Sequence, residues 1–483
     1  MKGAAKMLEN LEPRGVWKWF EQLCAIPHGS GNTAAVADWC VKFAEERGLQ
    51  HWRDQSDNVV IVKPAAPGYE NAAPVILQGH LDMVCEKTVE CARDMSREGL
   101  ELQTDGKRIW AEGTTLGADD GIAVAMALAL LEDPQLPSPR LEVVLTSDEE
   151  IGMLGAAAIQ VDMLQSRQML NLDSEEEGIF TVSCAGGNRT LCTLPVDRET
   201  RQASWMKVRV SGLRGGHSGE CIDMGRANAC MLLGRVLLTM RQRAEVRLVS
   251  VSGGQKDNAI PPAATAVIAV QDVEGMLRTA AEMEESFRRE YRAADPEIRV
   301  VAERIQPEGL PMTEESSRRV VGMLSCLPNG VQEMSREIPG LPQTSLNLGI
   351  LETAERQVTA TFCVRSSVAS QKEMLKARLR CLMELLGGTA AYSGDYPAWE
   401  YREESPLRER MVEVYREQTG KEPTISAIHA GVECGLFAGK LPGLDCVSIG
   451  PNLREIHTPR EEMEIASVQR VWAFVREVLR RSR

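Results

Sequence analysis

The sequence predicts an α/β protein in which a mixed-sheet domain is interrupted by an inserted α+β domain. Three observations carry that prediction. Short apolar strand runs alternate with helical runs at both ends of the chain, as in a largely parallel sheet. The middle changes texture, to strands separated by helices rich in Arg and Glu. Charged residues recur just past the ends of the outer strands, where α/β sheets gather ligands.

The elements follow in chain order. An amphipathic helix opens the chain and leads into residues 26–32, a loop of turn formers around His28-Gly29-Ser30-Gly31. Residues 57–62 and 74–79 read as strands, the second ending at His80. A helix of small apolar residues spans 119–132, starting at Asp119-Asp120-Gly121, and a strand at 141–146 runs straight into Ser147-Asp148-Glu149-Glu150. A short strand at 169–172 ends at Asp173. Near the C-terminus a strand at 445–449 is followed after a loop by His457, and a long helix from about residue 463 closes the chain. Between these parts lie strands such as 205–210 and 357–364 and helices such as 273–294. The boundaries expected are 1–187 and 398–483 for the outer domain and 188–397 for the insertion, which is long enough for two similar lobes.

Composition excludes several classes of function. With 483 residues, 43% of them hydrophobic, the chain can bury the cores of two domains. A formal charge of -14 argues against an extended nucleic-acid surface. The N-terminal stretch lacks the apolar core of a signal peptide, and the longest apolar run, 122–131, is too short to cross a bilayer, so no membrane partner is expected. Thirteen cysteines stand singly, without a C-x-x-C pair, as small buried hydrophobes in a reducing compartment. The cytoplasm is the expected location.

At the strand and helix edges stand His80, Asp82, Asp119, Asp120, Glu149, Glu150, Asp173 and His457. Carboxylates crowded together raise one another's pKa and repel, and bound divalent cations remove that strain. Imidazoles mixed with carboxylates suit Zn²⁺, with Co²⁺ or Mn²⁺ as substitutes. Each element alone has a duller reading. His80 is a structural histidine, Asp119-Asp120 a helix cap, Glu149-Glu150 an acidic turn, Glu175 to Glu177 a solvated loop and His457 a turn residue. The ordered set decides: of six histidines, four (His80, His217, His429 and His457) fall within such constellations.

The order of motifs resembles the M20-type metallopeptidases over essentially the full length. Gly79-His80-Leu81-Asp82, Gly117-Ala118-Asp119-Asp120-Gly121 and Asp148-Glu149-Glu150-Ile151-Gly152 come first. Asn171-Leu172-Asp173, Gly215-Gly216-His217-Ser218 and Ile456-His457 complete the series. Thr114 to Ile122 and Ala427 to Gly435 further resemble the bacterial aminoacyl-histidine (Xaa-His, cytosol non-specific) dipeptidases. The resemblance implies a di-metal catalytic domain with an inserted lid. It implies two divalent ions per chain: His80 and Asp173 would hold one, Glu150 and His457 the other, and Asp119 would bridge them. Asp82 would accept the second ring N–H of His80, and Glu149 would be the general base. His217 would polarise the scissile carbonyl, Asn258 would donate to substrate and Arg365 would grip its C-terminal carboxylate. His429 and Glu433 would lie on the catalytic side, Glu433 facing the free amine.

The activity so implied is hydrolysis of unblocked dipeptides, Xaa-His and β-alanyl-histidine included, with a small peptide as the partner. An N-acyl amino acid deacylase would use the same metals and base. A non-catalytic binding protein on this fold would have lost a ligand or the base, and neither is lost. A two-metal phosphoesterase would want more basic residues. The resemblance is compatible with a homodimer and leaves open whether His217 serves its own chain or a partner.

Overall fold

All six residues of strand Leu141–Thr146 are buried, as in a strand covered on both faces. Around it the computed structural model, which describes residues 7–483, builds an eight-stranded sheet. Residues 1–6, part of the stretch read above for a signal peptide, lie outside the described residues. The strand order is Gln50–Arg53, Val59–Lys63, Leu141–Thr146, Val75–His80, Gln168–Asn171, Asp445–Ser448, Ile179–Cys184, Thr424–Ile428. The four central strands, from Leu141–Thr146 to Asp445–Ser448, run parallel, with antiparallel neighbours on either side. Parallel strands all end at one sheet edge, so His80, the Glu149-Glu150 turn and Asp173 emerge together. His80 lies in register with Thr146, and Gln78 with Asn171.

Helix Ala118–Glu132 is buried from Gly121 to Leu131, which is why its sequence is small and apolar all round. Gly15 of helix Arg14–Cys24 faces Ala129, where an added Cβ would meet its methyl at 3.4 Å. Asp119 and Asp120 have non-helical backbone angles and a cis peptide between them, so the regular helix starts after Asp120. The closing helix starts at Ile465, later than expected. Residues Glu462–Glu464 instead pair with Leu453–Arg454 and Arg108–Ala111, in a four-stranded antiparallel sheet completed by Leu102–Thr104. Among the described residues no helix is long and apolar enough to cross a membrane, and the thirteen cysteines are free thiols.

The chain divides into two units. The first comprises the chain up to Ser183 with Tyr401–Ala427 and Val432–Arg483, and the second comprises Cys184–Glu400 with Ile428–Gly431. The second unit is built on a nine-stranded antiparallel sheet. One run orders Arg299–Ile305, Ser204–Ser211, Ala264–Val270 and Val246–Gly253; the other orders Pro342–Thr353, Gln357–Ser366, Gly186–Pro195 and Thr389–Tyr396, with Gly330–Met334 beside Pro342–Thr353. A single residue pair, Gly253 with Leu351, joins the two runs. Strand Ser204–Ser211 shows the alternation that places this sheet: Met206, Val208 and Val210 are buried, whereas Arg209 is exposed. The buried residues pack with Leu233, Leu237, Ile268, Phe287, Leu324, Leu346 and Phe362 into one core. The helix expected over 273–294 ends at Glu290.

Residues 428–431, expected with the flanking part of the chain, belong to the second unit. The reason is local hydrogen bonding. The Ala185 N–H donates to the carbonyls of Ile428 and Ala430, both at 3.1 Å, and His429 Nε2 lies 2.6 Å from Ser345 Oγ.

Candidate active site

In the first unit the two carboxylate oxygens of Asp119, expected to bridge two ions, face two different imidazoles. Oδ1 lies 3.2 Å from His80 Nε2, and Oδ2 lies 3.1 Å from His457 Nε2. Asp173 Oδ1 is 3.5 Å from His80 Nε2, and Glu150 Oε1 is 2.8 Å from His457 Nε2. Donor atoms of His80, Asp119 and Asp173 form one cluster and those of Asp119, Glu150 and His457 another, sharing the aspartate; His80 also groups with Glu149 and Glu150. Most of these separations are close to the edge of a tetrahedron with metal–ligand bonds near 2.1 Å, about 3.4 Å.

The tautomer of His80 strengthens the fit to a cation. Its Nδ1 sits 2.9 Å from the backbone carbonyl of Asp82. A neutral ring therefore carries its proton on Nδ1 and turns the lone pair of Nε2 toward the oxygens of Asp119 and Asp173. Lone pairs facing one another need a positive charge between them. The expectation for Asp82 is refined: its main-chain oxygen takes the His80 N–H, while its carboxylate stands 3.4 Å away. That carboxylate accepts from Ser30 Oγ at 2.7 Å and from the backbone N–H groups of Glu149 and Glu150 at 2.9 and 3.3 Å. One aspartate thus anchors both the first histidine and the Glu149-Glu150 turn.

The electrostatics record the crowding. Burial, with Asp173, Glu433 and Glu150 adding to it against the pull of His80, pushes the Glu149 carboxyl up to about 9. Burial likewise lifts Asp173 to about 6. Hydrogen bonds to Asp119 and Glu150 raise His457 to about 10. Burial opposes the charged form of His80, yet Asp173, Asp119 and Asp82 hold its pKa well above the ordinary value. Negative charge is thus in excess, and only protons or cations can balance it.

One glutamate departs from its expected place, and another joins the site unannounced. Glu433, expected to face a free amine, is fully buried beneath the strand ends. Its Oε2 accepts from Gln78 Nε2 and Thr146 Oγ1, both at 2.6 Å, and burial raises it to about 8. No surface is left for an amine to reach. Glu461, which the motifs did not single out, is also buried. It accepts from the backbone N–H groups of Leu116, Gly117 and Ala118 at 2.8, 3.1 and 2.8 Å, with that of Asp119 at 3.4 Å. Only a spacing of four residues from His457 could have pointed to it. Asp120 also supports the site: its Oδ2 takes the His80 N–H at 3.1 Å. A Cβ on Gly79 would stand 2.4 Å from that oxygen, so the position requires glycine. The acidic run after Asp173 is not wholly solvated, because Glu177 forms a two-pronged pair with Arg470, both contacts at 2.7 Å.

The second unit holds Arg365, His429, His217 and Asn258. Arg365 is 7% exposed and donates from Nη1 to the Tyr396 hydroxyl at 3.2 Å. Among the described residues no carboxylate lies within ion-pair distance of it, and its Nε has no partner. Burial and the Arg365 charge hold His429 down to about 3, so its ring is neutral. Burial and Arg365 also lower His217, against Glu220. His217 pairs with Ala259 in a two-stranded ladder, and the Ser218 N–H donates to the Asn258 carbonyl at 2.8 Å. Asn258 therefore holds the His217 loop through its backbone, with its side chain exposed.

Comparison with known proteins gives consistent matches. The model of "Peptidase family M20/M25/M40" matches residues 76–481. The cytosol non-specific dipeptidase of Escherichia coli (strain K12) is 37% identical over 477 residues, 98% of each chain. The crystal structure of aminoacylhistidine dipeptidase from Vibrio alginolyticus superposes with a TM-score of 0.93 at 35% identity, covering 98% of this chain and 97% of that one. Aminopeptidase PepT from Bacillus cereus ATCC 10987 shares the fold, with a TM-score of 0.57 at 14% identity over 98% of this chain and 99% of its own.

Proposed function

This chain belongs to peptidase family M20/M25/M40, and on that premise we propose that it is a cytoplasmic di-metal dipeptidase acting on unblocked dipeptides, Xaa-His among them. The observation that carries the reading is the Asp119 carboxylate, whose two oxygens face two different imidazoles. His80, Asp119 and Asp173 would hold one divalent ion and Asp119, Glu150 and His457 the other. Zn²⁺ fits this donor set, and Co²⁺ or Mn²⁺ can substitute. When bound, such ions supply Lewis-acid polarisation of a carbonyl and acidify a water.

The chain's own groups do the rest. Glu149, held beside the cluster by the Asp82 carboxylate on its backbone N–H, takes the proton of the attacking water and passes it to the leaving amine. His217 is neutral near pH 7, because burial and Arg365 lower its pKa, and it donates to the carbonyl oxygen as charge develops there. Arg365, a buried guanidinium without an acidic partner among the described residues, takes the substrate's C-terminal carboxylate. The neutral ring of His429, which feels the Arg365 charge, is held by Ser345 Oγ in the same unit.

An N-acyl amino acid deacylase would use the same metals and base. The names of the two relatives at 37% and 35% identity support the dipeptidase reading over it. The test is a hydrolysis panel of free and N-acetylated dipeptides with the metal-loaded protein. Cleavage of the free set alone is expected; preference for the acetylated set would overturn the proposal.

A further inference from the structure

We propose that Glu461 is a positioning residue that fixes the bridging aspartate against the second metal cluster, an inference that rests on the di-metal reading. The two clusters are built differently. His80 ends a buried strand, and its side chain is 1% exposed. His457 sits on a loop, has a positive φ of 59° and has a side chain 43% exposed. The eight-stranded sheet does not carry that loop; Leu453–Arg454 and Glu462–Glu464 of the four-stranded sheet pair at its two ends, leaving its tip at His457 to other contacts.

Glu461 supplies the link. It closes the turn that begins at Thr458, the residue after His457, its N–H donating to the Thr458 carbonyl at 3.1 Å. Its carboxylate then spans the loop that delivers Asp119: Oε2 accepts from Leu116 and Gly117, and Oε1 from Ala118 and, at 3.4 Å, Asp119 itself. One buried carboxylate therefore joins the segment carrying His457 to the segment carrying Asp119. Those two residues face each other at 3.1 Å. The Gly117 backbone that meets this carboxylate has a φ of 64° and packs on its other side against Met83, where a Cβ would stand 2.7 Å from Sδ. Backbone amides converge on this one side chain, whose removal frees the 116–119 loop and its tie to the His457 turn while leaving His80 and Asp173 on the sheet.

The test is titration of the metal-free full-length chain with Zn²⁺ and Co²⁺, followed by calorimetry and by the visible absorption of bound Co²⁺. Native protein, Glu461→Gln, Glu461→Ala and Arg460→Ala, an exposed neighbour, are compared. The native chain should bind two ions. Glu461→Ala should weaken one of the two about 10- to 100-fold, as loss of an outer-shell partner does, with the other within a few-fold of native. Glu461→Gln, which keeps one acceptor oxygen, should fall between, and Arg460→Ala should match native. Loss of both ions together in the Glu461 variants would mean that Glu461 holds the fold, and unchanged affinities would mean that it holds neither loop; either result overturns the inference. A native chain that binds fewer than two ions would overturn the di-metal reading itself, and this inference with it.

Discussion

Replacing Arg365 by alanine removes a buried guanidinium that has no counter-charge within ion-pair distance among the described residues. The arginine is 7% exposed, it donates to the Tyr396 hydroxyl, and its Nε has no partner among the described residues. His429 cannot share the charge, because burial and Arg365 itself hold that ring neutral, down to about 3. A desolvated cation of this kind gains most when an anion arrives. Hydrogen bonds to a charged group contribute about 1.5–3 kcal/mol, and a two-pronged pair with a carboxylate sits toward the upper end. At 1.36 kcal/mol per tenfold, Arg365→Ala should lower kcat/KM for a free dipeptide about 10- to 150-fold. A C-terminally amidated dipeptide offers no negative charge, so it should be a poor substrate for the native protein and lose little more in the variant. The assay is a two-by-two comparison of native and Arg365→Ala protein on free and amidated forms of one dipeptide. Equal losses on both substrates would refute the reasoning and make Arg365 a support of its own unit's fold.

Three other perturbations separate roles within the site. Glu149→Ala should retain both metal ions on elemental analysis while kcat falls about 10²- to 10⁴-fold; metal lost in parallel with activity would make Glu149 a ligand. His217→Ala should lower kcat about 10²- to 10³-fold with unchanged metal content, and near-native turnover would reduce it to a turn residue. In the metal-free chain Glu433, Glu149 and Asp173, with values of about 8, 9 and 6, keep protons that the unfolded chain releases near pH 4. These three groups then bind more protons folded than unfolded from about pH 4 upward, so their contribution to stability falls as pH rises toward 8, against His429, whose opposite contribution is complete by about pH 6.5. Glu433→Gln should flatten that fall by up to about 1.4 kcal/mol per pH unit, and a melting temperature that rises from pH 5 to 8 would contradict the assignment.

What the sequence disclosed follows from what is local. Strand Leu141–Thr146 stands where its apolar run lies, and His80 ends its strand, because burial and alternation are written in consecutive residues. The cluster of candidate ligands is legible for the same reason: each donor follows a strand or opens a helix. Residues 453–454 and 462–464 are not legible as strands, because two or three residues carry no periodicity and the outer partner of 462–464, Arg108–Ala111, is far away in the chain. Glu433 and Glu461 defeated the reading differently. A glutamate looks solvent-facing until its distant donors are known, and these two are buried by Gln78 with Thr146 and by the 116–119 amides.

The four residues Ile428–Gly431 set a limit on how this molecule can be cut apart. The second unit looks like a single excisable stretch, Cys184–Glu400, yet it borrows this tetrapeptide from beyond its own end. Expressed alone, residues 184–400 would leave Ser345 Oγ without its imidazole, the Ala185 N–H without the carbonyls of Ile428 and Ala430, and the face of Tyr396 without Gly431. That tyrosine is also the hydroxyl that holds Arg365. Transplanting the arginine pocket onto another scaffold therefore means moving two separate pieces of chain, the second only four residues long.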